Sequence, residues 1–221
     1  DFAHGRISAE DKRRIEDAAV RAVVRMQEDI GLQGVTDGEY RRASWHMDFI
    51  YQIGGITKAH DNLKVQFHNE KGDIEFTPAA MRVTGKLKLE KCIFADDFAF
   101  LRSVTKATPK LTIPSPSMVH YRGGRAAIDP AVYPDIEEFW RDLERVYADQ
   151  IEALGTLGCT YLQLDDTSLA YLNDPSQREY IKGLGGDGDH QHVTYIRHLN
   201  AVLAKKPAAM RVCTHMCRGN F

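Results

Sequence analysis

A long amphipathic helix that leads directly into a short apolar strand sets the fold class of this chain. The helix pattern covers residues 134–154 and is followed by Gly155 and Gly158, which end it. The strand pattern comes next, at 160–166, and it closes with two aspartates. A strand that follows such a helix is typical of a βαβ repeat, so the pattern predicts an α/β fold with parallel strands.

Polar residues stand at the ends of several predicted strands. Besides 160–166, short apolar runs occur at 34–39, 110–113 and 211–215. The polar residues that close these runs, or follow them at once, are Glu39, Asp165, Asp166, His215 and Cys217. In barrels and in open α/β sheets, functional sites are built at the carboxyl ends of the strands. We therefore expect a site at that edge of the sheet.

The number of strands leaves two architectures open. Four candidate parallel strands in 221 residues fit a small open sheet, or part of a (β/α)8 TIM-type barrel, which needs eight strands and about 250 residues. We favour a single partial barrel domain over 1–221, with the first and last strands outside it. Residues 63–77 alternate in polarity around a turn at 70–73, which predicts a hairpin insertion.

Composition excludes several classes of partner. The chain carries 29 Lys and Arg against 31 Asp and Glu, a net charge of −2, which argues against nucleic acid and anionic membranes as partners. No apolar run reaches the roughly 18 residues that span a bilayer, and the first residues lack the pattern of a signal peptide. Four cysteines are too few for a disulfide framework, so we expect reduced thiols in a cytoplasmic protein.

The run from Cys213 to Cys217 contains thiol and imidazole groups at alternate positions of a strand. Alternation places Cys213, His215 and Cys217 on one face. Zinc binds thiolate sulfur and imidazole nitrogen, but it takes three or four protein ligands. A buried cysteine beside a core histidine would give the same pattern. We expect Cys213, the deepest of the three, to be a core thiol.

The carboxylates at the strand ends also have more than one interpretation. Glu39 fits a general base, a substrate anchor or an ion-pair partner of Arg41 or Arg42. Of the adjacent pair, at least one of Asp165 and Asp166 is expected in the mouth of the sheet, where a second acid or a cation would act on it. Asp166 also fits a helix N-cap.

Two further segments have weaker patterns. The basic run at 120–125 fits a carboxylate- or phosphate-binding loop or an ordinary surface loop. The glycine-rich run at 183–188 follows no strand and lacks the Gly-Lys-Ser/Thr of a phosphate loop. His190, His192 and His198 are spaced as on a helix, and we expect them at the surface.

Three segments, 34–42, 161–166 and 214–221, together resemble the C-terminal catalytic barrel of the cobalamin-independent methionine synthase family, above all its short single-barrel members. The resemblance implies a zinc-dependent methyltransferase that moves a methyl group from a methylated tetrahydrofolate to the thiol of homocysteine, giving methionine. By position, His215 and Cys217 would be zinc ligands, with the remaining ligands outside this chain. Glu39 and Asp165 would hold the amino group of homocysteine.

The chain departs from the family pattern in places that leave the methyl donor open. Thr167 follows Asp165-Asp166 where the family has Asp-Glu-Pro, Arg218 replaces a Tyr, and no aromatic residue near 117–121 matches the family's folate contact. One alternative is a zinc-dependent alkyl transferase acting on another thiol, such as coenzyme M. A glycoside hydrolase with Glu39 and Asp165 as its acid pair, or a non-catalytic binding module, are the others.

Overall fold

The computed structural model describes residues 5–59, 65–69, 72–76 and 80–217, in which strands and helices alternate along most of the chain. The strands are β1 (Gly34–Val35), β2 (Gly54–Ala59), β3 (Val65–Asn69), β4 (Gly72–Phe76), β5 (Ala80–Lys88), β6 (Thr108–Pro114), β7 (Tyr161–Asp165) and β8 (Arg211–His215). The helices are α1 (Ala9–Asp29), α2 (Met47–Ile50), α3 (Ala95–Val104), α4 (Ser117–His120), α5 (Ile136–Thr156), α6 (Thr167–Tyr171), α7 (Pro175–Gly183) and α8 (Gln191–Leu203), with a short 3-10 helix at Gly124–Ala127.

The four predicted parallel strands form one sheet, in the order β1-β6-β7-β8, and every pair in it is parallel. The last residues of β6, β7 and β8, which are Pro114, Asp165 and His215, are paired in register. The carboxyl ends of these strands therefore meet at one edge. The α/β fold with a parallel sheet is confirmed, whereas a closed barrel of eight strands stays a prediction.

Helices pack on this sheet through apolar faces that the sequence makes plain. Helix α5 begins at its N-cap Asp135, whose side chain accepts a hydrogen bond from the Glu137 backbone N–H. Its inward face buries Phe139, Trp140, Leu143, Val146, Tyr147, Ile151 and Leu154. A smaller cluster joins α1 to the sheet and contains Val20, Val24, Val35 and Leu101. In the part of the chain that the structure describes, no helix is long and apolar enough to cross a membrane.

Two antiparallel pairs lie between α2 and α3. The hairpin predicted at 63–77 is present as β3 paired with β4, although residues 60–64, 70–71 and 77–79 lie outside the described residues. The sequence analysis did not predict the second pair, β2 with β5, whose register shifts between Gly54 and Ile56. Such a shift breaks the strict alternation of polarity on which strand prediction depends. An isolated β-bridge, Val83 to Ile128, and a hydrogen bond from the Leu87 N–H to the Tyr133 hydroxyl link β5 to the segment before α5.

Candidate functional site

The carboxyl edge of the sheet carries a buried acid beside a histidine. Asp165 ends β7 with 7 % of its surface exposed, and it is paired in register with His215, the last residue of β8. The amide of Gln163 donates a 2.7 Å hydrogen bond to the Asp165 carboxylate. Burial raises the pKa of Asp165, while the Gln163 bond and the nearby charges of His215 and Arg42 oppose the rise. The edge therefore holds a buried acid close to an imidazole and a guanidinium.

The neighbouring carboxylate has a structural role. Asp166 is the N-cap of α6 and accepts a hydrogen bond from the Leu169 backbone N–H. It also accepts hydrogen bonds from the hydroxyls of Ser115 and Ser168. Because these groups occupy its oxygens inside the protein, Asp166 ties α6 to the loop after β6. Of the two aspartates, Asp165 is the one available for a ligand.

Glu39 lies in a tight turn rather than at the end of a strand. Strand β1 ends at Val35, four residues earlier than the position of Glu39, which corrects the strand predicted at 34–39. Glu39 has a positive φ of 56°, in a region that non-glycine residues seldom adopt. The Asp37 carboxylate accepts a hydrogen bond from the Glu39 N–H at 3.0 Å and supports this conformation. Backbone strain of this kind is common at functional sites.

The two predicted substrate carboxylates lie close enough to influence each other. Burial is the main cause that raises the pKa of Glu39, and the negative charges of Asp165 and Asp37 raise it further. The positive charge of Arg42 opposes them. Glu39 therefore lies within electrostatic range of Asp165, and a shared role of the two in binding a substrate stays a prediction.

Two consecutive arginines take different partners. The Arg42 Nη1 atom lies 3.3 Å from the Glu39 carboxylate. Arg41 instead forms ion pairs with Asp17 and Asp97, on α1 and α3. Of the partners that the sequence left open for Glu39, the structure shows Arg42.

The thiol and imidazole groups of β8 lie at the same edge as Asp165. His215 is exposed at the end of the strand, and Cys217 follows two residues later, half-buried. Cys213 is also half-buried, with its sulfur 3.9 Å from the Gln163 amide oxygen, so its prediction as a core thiol is wrong. β8 is an edge strand of the described sheet, and this limits how deeply its side chains are covered.

The donor types fit zinc, but the described residues supply only part of a site. His215 and Cys217 offer the nitrogen and sulfur ligands that zinc prefers. Within 5–59 and 80–217, whose side chains the structure describes, no group of three or more His, Cys, Asp or Glu side chains is placed to hold a metal. A zinc ion at this edge would therefore need ligands in addition to these two.

Two histidines that the sequence placed in surface segments are buried. His198 bonds the Glu144 carboxylate at 2.6 Å and stacks on Trp140, with ring centroids 4.4 Å apart. His120 lies in α4 and bonds the Tyr195 hydroxyl at 3.0 Å. The surface position predicted for His198, and the surface or anion-binding loop predicted for 120–125, are therefore wrong for these side chains. The buried Tyr195, three residues before His198 on α8, was the available signal.

A cavity of about 320 Å³ lies beside α4, the short helix that follows β6. Its walls include His46, Met47, Met118 and Arg122. The Met118 sulfur accepts a hydrogen bond from the hydroxyl of Thr167, two residues after Asp165. Burial lowers the pKa of His46 to about 4, so this imidazole is neutral at pH 7.

Comparisons with known proteins give consistent relatives. No family model matches the chain. It is 38 % identical over 220 residues to the uncharacterized protein YxjH of Bacillus subtilis, covering 99 % of this chain and 56 % of that protein. It is 30 % identical over 175 residues to a methionine synthase of Pyrococcus abyssi, covering 78 % of this chain and 47 % of that protein. The chain thus spans about half the length of these relatives.

Solved structures agree with these relatives. A putative vitamin-B12 independent methionine synthase from Listeria monocytogenes superposes with a TM-score of 0.73 at 32 % identity, over 100 % of this chain and 60 % of that protein. A B12-independent methionine synthase from Shewanella sp. W3-18-1, solved with selenomethionine, superposes with a TM-score of 0.64 over 96 % of this chain and 54 % of that protein. At 18 % identity, the second likeness shows the fold alone. The sequence motifs, the parallel sheet and these relatives support the assignment of the chain to the cobalamin-independent methionine synthase family.

Proposed function

We propose that the protein to which this chain belongs transfers a methyl group from a methylated tetrahydrofolate to the thiol of homocysteine, and that zinc assists the transfer. The observation that carries the proposal is the pairing of Asp165 with His215 at the strand ends, and the influence of Asp165 on the nearby Glu39 supports it. An amino-acid substrate needs an anionic group for its ammonium and a means of activating its thiol. This edge offers groups of both kinds.

The two carboxylates suit the ammonium group of homocysteine. Each would accept a charge-assisted hydrogen bond, and two such bonds fix the orientation of the substrate as well as its affinity. Asp165 is already held in place by the Gln163 amide, so little conformational freedom is lost on binding. The Shewanella relative, solved with selenomethionine, supports an amino-acid ligand in this fold.

The thiol would be directed towards His215 and Cys217. These two side chains would contribute to the zinc site, and the other ligands would come from outside the described residues. Bound zinc supplies a Lewis acid that favours the thiolate form of a thiol at neutral pH. We place the methyl donor in the 320 Å³ cavity beside Met118, where the neutral His46 and the guanidinium of Arg122 line the wall.

The alternatives fit the same residues less well. Coenzyme M has no amino group, so an alkyl transferase acting on it would leave the carboxylates Glu39 and Asp165 without a ligand. A glycoside hydrolase would give His215 and Cys217 no role. A non-catalytic binding module would explain a ligand site at this edge, but it would give the side chains there no role in a reaction. We also keep a cytoplasmic location as a prediction.

Product analysis with the zinc-loaded full protein tests the proposal. The protein is incubated with methylated tetrahydrofolate and either homocysteine or coenzyme M, and the methylated thiol is measured by mass spectrometry. We expect methionine from homocysteine and no methylated coenzyme M. Methylation of coenzyme M alone would overturn the proposal, as would hydrolysis of an aryl glycoside by metal-free protein. If methionine formed from another methyl donor and not from methylated tetrahydrofolate, the folate part of the proposal would be wrong.

A further inference from the structure

The buried guanidinium of Arg42 contacts the Glu39 carboxylate. The side chain of Arg42 is 3 % exposed, and its guanidinium carbon lies 4.1 Å from the centre of the Phe94 ring. Its Nη1 atom contacts the Glu39 carboxylate, and its enclosed Nε atom has no hydrogen-bond partner among the described residues. An arginine that is buried at this cost, with one of its donors unsatisfied, has little freedom to move.

The Glu39 side chain can adopt several rotamers unless a neighbouring group holds it in one of them. Its side chain is 34 % exposed, and a glutamate has three rotatable bonds. The backbone on both sides is fixed, since the Arg42 N–H donates to the Glu39 carbonyl at 3.0 Å and closes the turn. Only one carboxylate oxygen faces Arg42, which leaves the other for a second cation.

We propose that Arg42 is a positioning residue: it fixes the Glu39 carboxylate towards the edge of the sheet and thereby makes the site select thiols that carry an amino group. This inference rests on the proposed function. The stacked ring of Phe94 and the closed turn hold the guanidinium, and the guanidinium holds the carboxylate. The ammonium then meets an oxygen whose direction is set before binding, which lowers the entropy cost of binding.

Arg41 provides a matched control next to Arg42 in the chain. Its side chain is 4 % exposed, it lies 4.4 Å from the Phe100 ring, and its Nε atom is likewise enclosed without a partner among the described residues. Its acidic partners, Asp17 and Asp97, are not part of the proposed substrate site. Substitution of Arg41 therefore removes a similar buried cation without touching Glu39.

The test compares two thiols that differ in one group. The dissociation constants of homocysteine and of its des-amino analogue, 4-sulfanylbutanoate, are measured by calorimetry on the zinc-loaded full protein. The proteins compared are the unchanged one and the variants Arg42→Met, Arg42→Lys, Phe94→Leu and Arg41→Met. We expect Arg42→Met to reduce the preference for homocysteine roughly 10-fold or more, by loss of a charged hydrogen bond that orders Glu39. Arg42→Lys and Phe94→Leu should lose part of the preference.

Each result decides between roles. Arg41→Met should leave the preference unchanged, even where it lowers the unfolding temperature. If Arg42→Met, or Arg42→Lys where the former does not fold, kept the full preference, Arg42 would be a structural residue and the inference would be wrong. If the unchanged protein bound both thiols equally, the proposed function itself would fail, whatever the variants did.

Discussion

Asp165 and His215 are paired residues on neighbouring parallel strands, and each is the last residue of its strand. Residues paired in register across two parallel strands direct their side chains to the same face of the sheet. The acid proposed for the substrate ammonium and the imidazole proposed for a metal therefore lie side by side because of strand register. Substituting each of these two residues separately tests its role in the proposed reaction.

Removing the charge of Asp165 should weaken substrate binding without changing the fold. Asp165→Asn keeps the size of the side chain and removes a charged partner of the ammonium. We expect the dissociation constant of homocysteine to rise roughly 10- to 100-fold, and that of 4-sulfanylbutanoate to change little. Calorimetry with both thiols measures this, and zinc content is the control. An equal loss for both thiols would show that Asp165 does not recognise the amino group.

The adjacent Asp166→Ala change should instead lower the stability of the fold. It removes the cap of α6 and two hydroxyl bonds from Ser115 and Ser168, so we expect the free energy of unfolding to fall by about 2 kcal/mol. Urea denaturation of the two variants, Asp165→Asn and Asp166→Ala, provides the comparison. Equal stability of both variants would contradict the separate roles assigned to the two aspartates.

Zinc content should follow His215 and Cys217 but not Cys213. In the full protein we expect one zinc per chain, lost in His215→Ala and in Cys217→Ser, with the circular dichroism spectrum unchanged. Cys213→Ser is the matched control, because Cys213 lies on the same strand and also bears a thiol. Stoichiometric zinc in Cys217→Ser, measured by atomic emission, would make Cys217 an ordinary thiol.

The 221-residue chain alone should bind zinc poorly. The proposal takes two ligands, His215 and Cys217, from its described side chains, whereas zinc takes three or four. Competition with a chromogenic chelator, applied to this chain and to the full protein, measures the difference in affinity. Equal and tight binding by both would mean that this chain holds a complete site.

Stability should fall on mild acidification because of buried histidines. Burial, together with the smaller effects of the charges of His198 and Arg125, lowers the pKa of His120 from 6.5 to about 4. Below pH 6.5 the unfolded chain takes up a proton that the folded protein refuses, so stability present above this pH is lost as the pH falls towards 4. By pH 5 this one histidine should cost roughly 2 kcal/mol.

Urea denaturation at pH 7 and pH 5 measures that loss. His120→Gln should be less stable than the unchanged protein at pH 7 and should lose less stability between the two pH values. His190→Gln, a change at an exposed histidine, should behave as the unchanged protein does. An identical pH dependence in His120→Gln would show that His120 does not carry the effect.

Much of the fold follows from local pattern. The apolar period of α5 and the four strand segments are visible in the sequence, because periodicity acts over a few residues. The same local signals place Asp165 and His215 at strand ends. Parallel pairing then brings strand ends to one edge, and the site could be predicted there for that reason.

What the sequence by itself determined is the order of helices and strands and the chemical groups at the strand ends. Only the tertiary structure decided that Asp166 caps α6 while Asp165 pairs with His215, that Glu39 pairs with Arg42 rather than Arg41, and that His198 is buried against Glu144. Each of these outcomes depends on which distant segment packs against the side chain. Two identical residues that are adjacent in the sequence have the same local pattern. Their roles differ because folding gives each of them a different burial and different charged partners.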